Sequence, residues 1–581
     1  MTYHKTWAVY VAIFRDASQG RLSPLPFFRI TVELWVEMVG IAGKSQACHT
    51  CRQRRLRCDM RRPVCRKCVK AKRTCTGYDR DFIFVNRTPS SSSTTAPSVL
   101  AERRALRQLK DASADSTSEA DLHHLFSEAR NNCCEFRKYA VKLLEVTYLP
   151  KLPVSTTEGS FSWAYRLSDL LKPSKSLDTS LFAFCLSQLH LTGTGSASLY
   201  ECLDQYNTAL RYLHADLDDP EKRSQEETLA AIVVLSTCEL FVCPVSNGWS
   251  VHSHGIADVL RLRDPETTST PAWRHLFSRM RLLCVLEALT KRKAQILDND
   301  VLRQIMTQSK LNGPLDEVFQ MTADIPAILE QAVALSLITD EDTLLNESAT
   351  LMRAFLAMVS FFESWLDECW EASTALRVWS VPSRVTNPID DDPSNRLFPF
   401  CFEFESLVVA VPVIMCWSVI TQLYSNVIQI HDLVEARMGR RITLQHLLSQ
   451  ANTIAATDTA GSQEASSQNI PIPKAGESRS IQDIREEGAK MARNVCQSLE
   501  YMHQIEMGTY GGHATTYPAW SARQFFRLHP GYEREASWLQ NMHKMEGPGT
   551  RWGLALMTFT DIDKPLVGFH PDPSKSKTMR D

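Results

Sequence analysis

The sequence predicts a mostly α protein, in which a small cysteine-built module and a linker precede a large all-α helical domain. Three observations carry that expectation. Six cysteines fall within residues 48–75 in two copies of one spacing, while the other eleven of the 17 are scattered. From about Ser127 onward apolar residues recur at helical spacing, and alternation of the strand type is scarce. Between the two, Thr88–Ser98 (TPSSSSTTAPS) has too few apolar side chains to bury a core and reads as a flexible linker.

Composition narrows the function classes. A chain of 581 residues has room for two or more domains, and 44% hydrophobic with 22% charged residues is the balance of a soluble globular protein. The net charge is −2, but it is unevenly spread. Between Lys44 and Arg80 thirteen Lys and Arg face only Asp59 and Asp79, a local net of +11 that leaves −13 on the rest. A compact basic island on an acidic body is the footprint of a nucleic-acid contact region. The odd cysteine total, with Cys238, Cys284 and Cys416 set among apolar neighbours, argues against a secreted disulfide scaffold and points to a reducing compartment.

Taken in order, residues 1–40 show no organisation, and Met38 reads as a natural start that would make 1–37 an upstream extension. The run Trp7–Phe14 is too short for a signal peptide, is followed by Arg15 and lacks a small-residue cleavage site. Residues 41–80 form the cysteine domain, 81–126 the linker and 127–570 the helical domain. Within it, Leu203, Tyr206, Leu210 and Leu213 share one helical face, Glu227–Val242 is apolar nearly all round as a central helix would be, and Leu276, Met280, Leu283, Cys284 and Leu286 continue the pattern. Leu407–Tyr424 is uncharged over 18 residues, but Pro412, Ser418, Thr421 and Gln422 favour a buried helix over a membrane span. Ala451–Arg485, rich in Ser, Thr, Gln and Gly with Pro471 and Pro473, reads as a disordered insert. Leu100, Leu106, Leu109, Leu122 and Leu125 keep no heptad register, so no coiled-coil route to a homodimer is evident.

The cysteine segment places Cys48, Cys51, Cys58, Cys65, Cys68 and Cys75 in C-x2-C-x6-C, a six-residue spacer, and C-x2-C-x6-C again. Zinc takes four tetrahedral ligands, and thiolate is a favoured one. Two zinc ions need eight ligand positions, which six cysteines supply if one sulfur from each half bridges. Few apolar residues lie between the cysteines, so metal binding must supply the folding energy. A single four-cysteine site with two spare thiols would leave the duplicated spacing unexplained, and a disulfide knot conflicts with the body's scattered thiols.

With that spacing in view, the segment resembles the fungal zinc binuclear cluster family of transcription factors, down to Pro63 two residues before the fourth cysteine. The resemblance implies that Cys48 and Cys65 bridge, that Cys51 and Cys58 complete one zinc, and that Cys68 and Cys75 complete the other. It further implies a nuclear regulator that docks the end of its first helix on a CGG-like triplet of double-stranded DNA, with Arg54 and Arg55 at the base-contacting positions. The planar fork of arginine suits O6 and N7 of guanine. Arg52, Arg57, Arg62, Lys67, Lys70, Lys72 and Arg73 read as phosphate contacts or a solvated face, and the same runs suit a nuclear import signal. Ser224–Val242, Trp249–Asp264 and, more loosely, Pro518–Phe559 resemble the fungal-specific transcription factor domain, which implies a regulatory role and coregulator partners.

Other signals are weak. Gly43-Lys44-Ser45 lacks the earlier glycine of a phosphate loop, and Gly193-Thr194-Gly195 lacks the third glycine of a dinucleotide fingerprint. His252, His254 and Asp258 match no established zinc spacing, and Trp520, Phe525, Trp538 and Trp552 read as core aromatics. No HExxH or nucleophile-elbow pattern occurs, so nothing argues for an enzyme. Two further functions stay open at the level of sequence: a zinc module that docks an acidic protein partner, and an enzyme housed in the helical domain.

Overall fold

Why the helices begin and end where they do follows from local chemistry at their termini. The computed structural model describes residues 65–71, 118–151, 161–242, 248–261, 270–294, 313–371, 378–390, 395–450 and 479–545. The chain divides into two units, 23–116 and the remainder. In the smaller unit the described residues form one short helix, α1 (Arg66–Lys70).

The larger unit is mostly α, and it begins earlier than its apolar periodicity suggested. Helix α2 (Glu119–Glu128) starts inside the expected linker, where the Ser118 side chain accepts a hydrogen bond from the Asp121 amide and Leu122 is fully buried. Next come α3 (Cys133–Thr147), α4 (Lys175–Thr192), α5 (Leu199–Asp218) and α6 (Glu226–Val242). Side chains of Asn132, Ser174 and Ser198 cap α3, α4 and α5. Gly193, at φ +62°, ends α4 in the left-handed conformation, so this glycine terminates a helix.

Helix α6 packs on α4 and α5 and on the next two helices, α7 (Gly248–Arg261) and α8 (Pro271–Lys291). From Glu227 to Glu239 every side chain of α6 is buried, as its unbroken apolar run requires. On α5 the buried Tyr206, Leu210 and Leu213 lie on one face, with Leu203 partly buried beside them.

A second layer is built on α12, and its members follow α8 in order. Helices α9 (Pro314–Thr322), α10 (Ile325–Ala334) and α11 (Glu341–Glu371) precede a hairpin of β1 (Val378–Pro382) and β2 (Phe400–Phe404), and then α12 (Leu407–Met438). The hairpin departs from the all-α expectation. It is antiparallel with Ser380 opposite Phe402, and each strand is only five residues, too short for its alternation to register as a pattern. Helix α12 contains Leu407–Tyr424, and its most apolar stretch is 94% buried, so that segment is a core helix. Helix α11 is the other long apolar helix among the described residues, with 44% of its apolar stretch buried. Its buried Leu344, Leu351, Phe355, Val359, Phe362 and Leu366 form a stripe of helical period facing α12.

Against α12 lie α14 (Ile481–Met502) and α16 (Thr516–Leu528), with the short α15 (Gly508–Ala514) and α17 (Glu533–Gln540) beside them, while the short α13 (Leu444–Gln450) packs on α11. The disordered insert expected to run through Arg485 overshoots its end. Ser480 and Asp483 form a reciprocal capping box that starts α14 at Ile481. Residues 1–37, most of the linker, 451–478 and Trp552 lie outside the described residues.

Candidate zinc centre

The second cysteine half-motif is the part of the zinc module that falls within the described residues. Cys65 immediately precedes α1, and Cys68 sits on its first turn. Both side chains are buried, at 0% and 3% exposure, in a segment with almost no apolar residues to bury them. The Cys68 amide donates to Cys65 Sγ at 3.3 Å. The C-x2-C turn therefore holds two sulfurs on its inner side, and the donor set fits zinc. Arg66, Val69 and Lys70 are exposed, whereas the two sulfurs are buried.

Lys67 lies in α1. Cys48, Cys51, Cys58 and Cys75 lie outside the described residues, as do Arg52, Arg54, Arg55, Arg57, Arg62, Lys72 and Arg73.

The histidine and cysteine signals in the helical body resolve as core chemistry. His252 is 1% exposed, with Nε2 at 2.7 Å from Glu239 Oε2, whereas His254 is more than half exposed. The two rings face different surroundings and do not share a ligand position. No group of three His, Cys, Asp or Glu side chains suited to a metal occurs among the described residues. Cys238, Cys284 and Cys416 are buried in the core, and burial pushes the Cys416 thiol far above its usual range. Trp520, Phe525 and Trp538 are core residues as well.

One buried ion pair ties the start of the body together. Arg137 is fully buried, and its Nε donates to Asp178 Oδ1 at 2.7 Å. Its other nitrogens donate to the carbonyls of Leu170 and Lys172, fixing the connection into α4. Burial raises the Asp178 carboxyl above its ordinary range, and the Arg137 charge opposes that shift.

With this geometry in place, comparison with known proteins places two domains. The family described as the fungal Zn(2)-Cys(6) binuclear cluster domain matches residues 46–82, and that cluster holds two zinc ions. The family described as the fungal specific transcription factor domain matches residues 150–431. That region contains Ser224–Val242 and Trp249–Asp264, whereas Pro518–Phe559 lies beyond it. A protein of Schizosaccharomyces pombe, named as an uncharacterized transcriptional regulatory protein, is 29% identical over 153 residues. The aligned stretch is 25% of this chain and 24% of that protein, so the chain matches about a quarter of its relative's length. No solved structure matches the chain.

Proposed function

This chain belongs to the fungal Zn(2)-Cys(6) binuclear cluster family, with a fungal specific transcription factor domain behind the cluster, and on that premise we propose that it regulates RNA polymerase II transcription in the nucleus by reading short G/C-rich, CGG-like sites in duplex DNA. The observation that carries this reading is the Cys65–Cys68 turn: two sulfurs buried together inside a match to the cluster, with exposed cations beside them.

In this reading Cys48 and Cys65 bridge the two metals, Cys51 and Cys58 complete one site, and Cys68 and Cys75 complete the other. Bound zinc supplies cross-linking and charge neutralisation in place of a hydrophobic core. Arg54 and Arg55 pair with guanine edges, because a guanidinium presents two parallel donors to O6 and N7. Arg52, Arg57, Arg62, Lys67, Lys70, Lys72 and Arg73 set the register by binding phosphates, which makes affinity fall steeply with salt. The helical body carries the regulatory role and docks transcriptional coregulators.

Selection from random duplexes with the zinc-loaded full chain, combined with metal analysis, tests the proposal. The expected result is two zinc ions per chain and an enriched motif containing a CGG-like triplet. Arg55→Ala is expected to cost about 1–3 kcal/mol of discrimination at one base pair. Equal weakening on every sequence would move Arg55 to a phosphate. Selection that enriches no motif overturns DNA reading in favour of a module that docks an acidic protein.

A further inference from the structure

Helix α11 buries one stripe against α12 and is flanked by α10 and α13. The opposite side of a surface helix is ordinarily charged. On α11 the positions at helical spacing on that side are Thr350, Ala354, Ala357, Met358, Phe361 and Ser364, all exposed or half-buried, with Phe361 53% exposed. The two charged residues within this span are engaged by neighbouring helices. Arg353 donates to the Leu448 carbonyl of α13, and Glu363 Oε1 accepts from Tyr424 Oη at 3.0 Å. The outward side is therefore uncharged over about 21 Å, at 1.5 Å per residue. A continuous apolar face of this kind marks an interaction surface.

Charge at the two ends of this face selects its occupant. Glu341, Asp342 and Glu347 are exposed at one end, and Asp367 and Glu368 at the other. None of these five carboxylates has an ion-pair partner among the described residues. A second copy laid antiparallel would set Glu347 of one chain near Asp367 and Glu368 of the other. A parallel copy would set each acid beside its own equivalent. Like charges meet in both arrangements, and such juxtaposition works against association. An anionic membrane surface meets the same repulsion. The complementary occupant is a helix that is basic at both ends and apolar between them.

We propose that this face of α11 docks a basic amphipathic helix of a partner protein, with the partner's apolar seam on Ala354, Ala357, Met358 and Phe361 and its lysine or arginine side chains on the acids at either end. Ala354 and Ala357 carry nothing beyond Cβ and let a second helix approach closely, while the Phe361 ring is the ridge that enters its groove. The proposal rests on the coregulator docking assigned above to the helical body and gives that partner its chemistry.

The test is fluorescence anisotropy of the zinc-loaded full chain with a labelled helical peptide of about 18 residues that carries a Leu/Ala seam and lysines at both ends. A second peptide keeps the seam and replaces each lysine by glutamate. The lysine peptide is expected to bind with a micromolar dissociation constant that weakens with salt, and the glutamate peptide at least about tenfold more weakly. Phe361→Ser should weaken the lysine peptide about tenfold. Tyr200→Ser, which removes an exposed ring from α5, should leave its binding unchanged. Equal binding of the two peptides, undiminished binding by Phe361→Ser, an equal loss in Tyr200→Ser, or no binding of the lysine peptide at about 100 µM would each overturn the proposal. Sedimentation of the chain alone adds one more outcome against it, a dimer that Phe361→Ser dissociates, which would give the face to a second copy. The peptide comparison needs no variant, so it stands even if Phe361→Ser fails to fold. No DNA enters the measurement, so its outcome is separate from that of duplex selection.

Discussion

Cysteine serves two opposite purposes in this chain, and the surroundings of each sulfur decide which. In the helical body burial pushes the thiols up: Cys202 and Cys369 to about 11, Cys401 to about 12, and Cys185 and Cys496 further. These groups stay protonated at neutral pH and react slowly, since the thiolate is the nucleophile. In the proposed reading the six cysteines from Cys48 to Cys75 are instead thiolates held by metal. A thiol reagent at pH 7 should therefore find six additional fast sites once a chelator has removed the zinc. A gain of four would indicate one mononuclear site, and no gain would remove metal from the fold. The spacing of these residues was legible because a metal ion demands a fixed number of sulfurs close in sequence. Arg279 was not legible. It is buried against His513, which lies 234 residues away, and local sequence carries no sign of a contact that only tertiary packing makes.

At the scale of elements, helix α14 joins the second layer through a contact that excludes any side chain. Gly488 is buried there, and a Cβ on it would lie 2.6 Å from Phe525 Cε2 and 3.1 Å from Tyr424 Cβ. In an open helix, Gly→Ala gains up to about 1 kcal/mol. Overpacking costs about 1–3 kcal/mol, and the rings of Phe525 and Tyr424 are themselves fully buried with little room to move. Gly488→Ala should therefore lower the urea midpoint at an unchanged slope, and a raised midpoint would show that α16 shifts freely. The long helices were readable because their apolar stripes or runs extend over many turns. The short elements were not, although their chemistry was present. Ser118 with Asp121, and Ser480 with Asp483, are cap pairs three residues apart that mark where α2 and α14 begin. Their polar first turns hid them behind the composition of the neighbouring linker and insert. The hairpin escaped notice because β2 gains its burial from packing on α14 and α12, a tertiary fact that five residues cannot announce.

Across the whole molecule, buried neutral histidines tie the stability of the helical body to pH. Burial holds His503 and His529 down at about 4, from an ordinary 6.5, and holds His513 well below its ordinary value too. Each ring is fixed by a hydrogen bond: His503 Nδ1 to the Leu499 carbonyl, and His529 Nε2 to Ser425 Oγ at 2.9 Å. On unfolding these rings gain protons below about pH 6.5, whereas the folded protein takes them up only near pH 4. The unfolded state thus binds more protons through that window, so stability is fully present above it and is lost as pH falls. Asp178 and His431 act in the opposite sense, because the raised Asp178 carboxyl and the raised His431 ring both favour the folded state on protonation. The lowered histidines act across the interval from pH 6.5 to about 5, where their unfolded forms take up protons. Urea unfolding of the body across that interval should show a midpoint that falls with acidity. His529→Gln, which keeps a hydrogen-bonding group near Ser425 without a titrating ring, should flatten the dependence. If the variant and the parent chain lose stability along parallel lines, His529 is protonated inside the folded body, and the uncharged core described at that position is wrong.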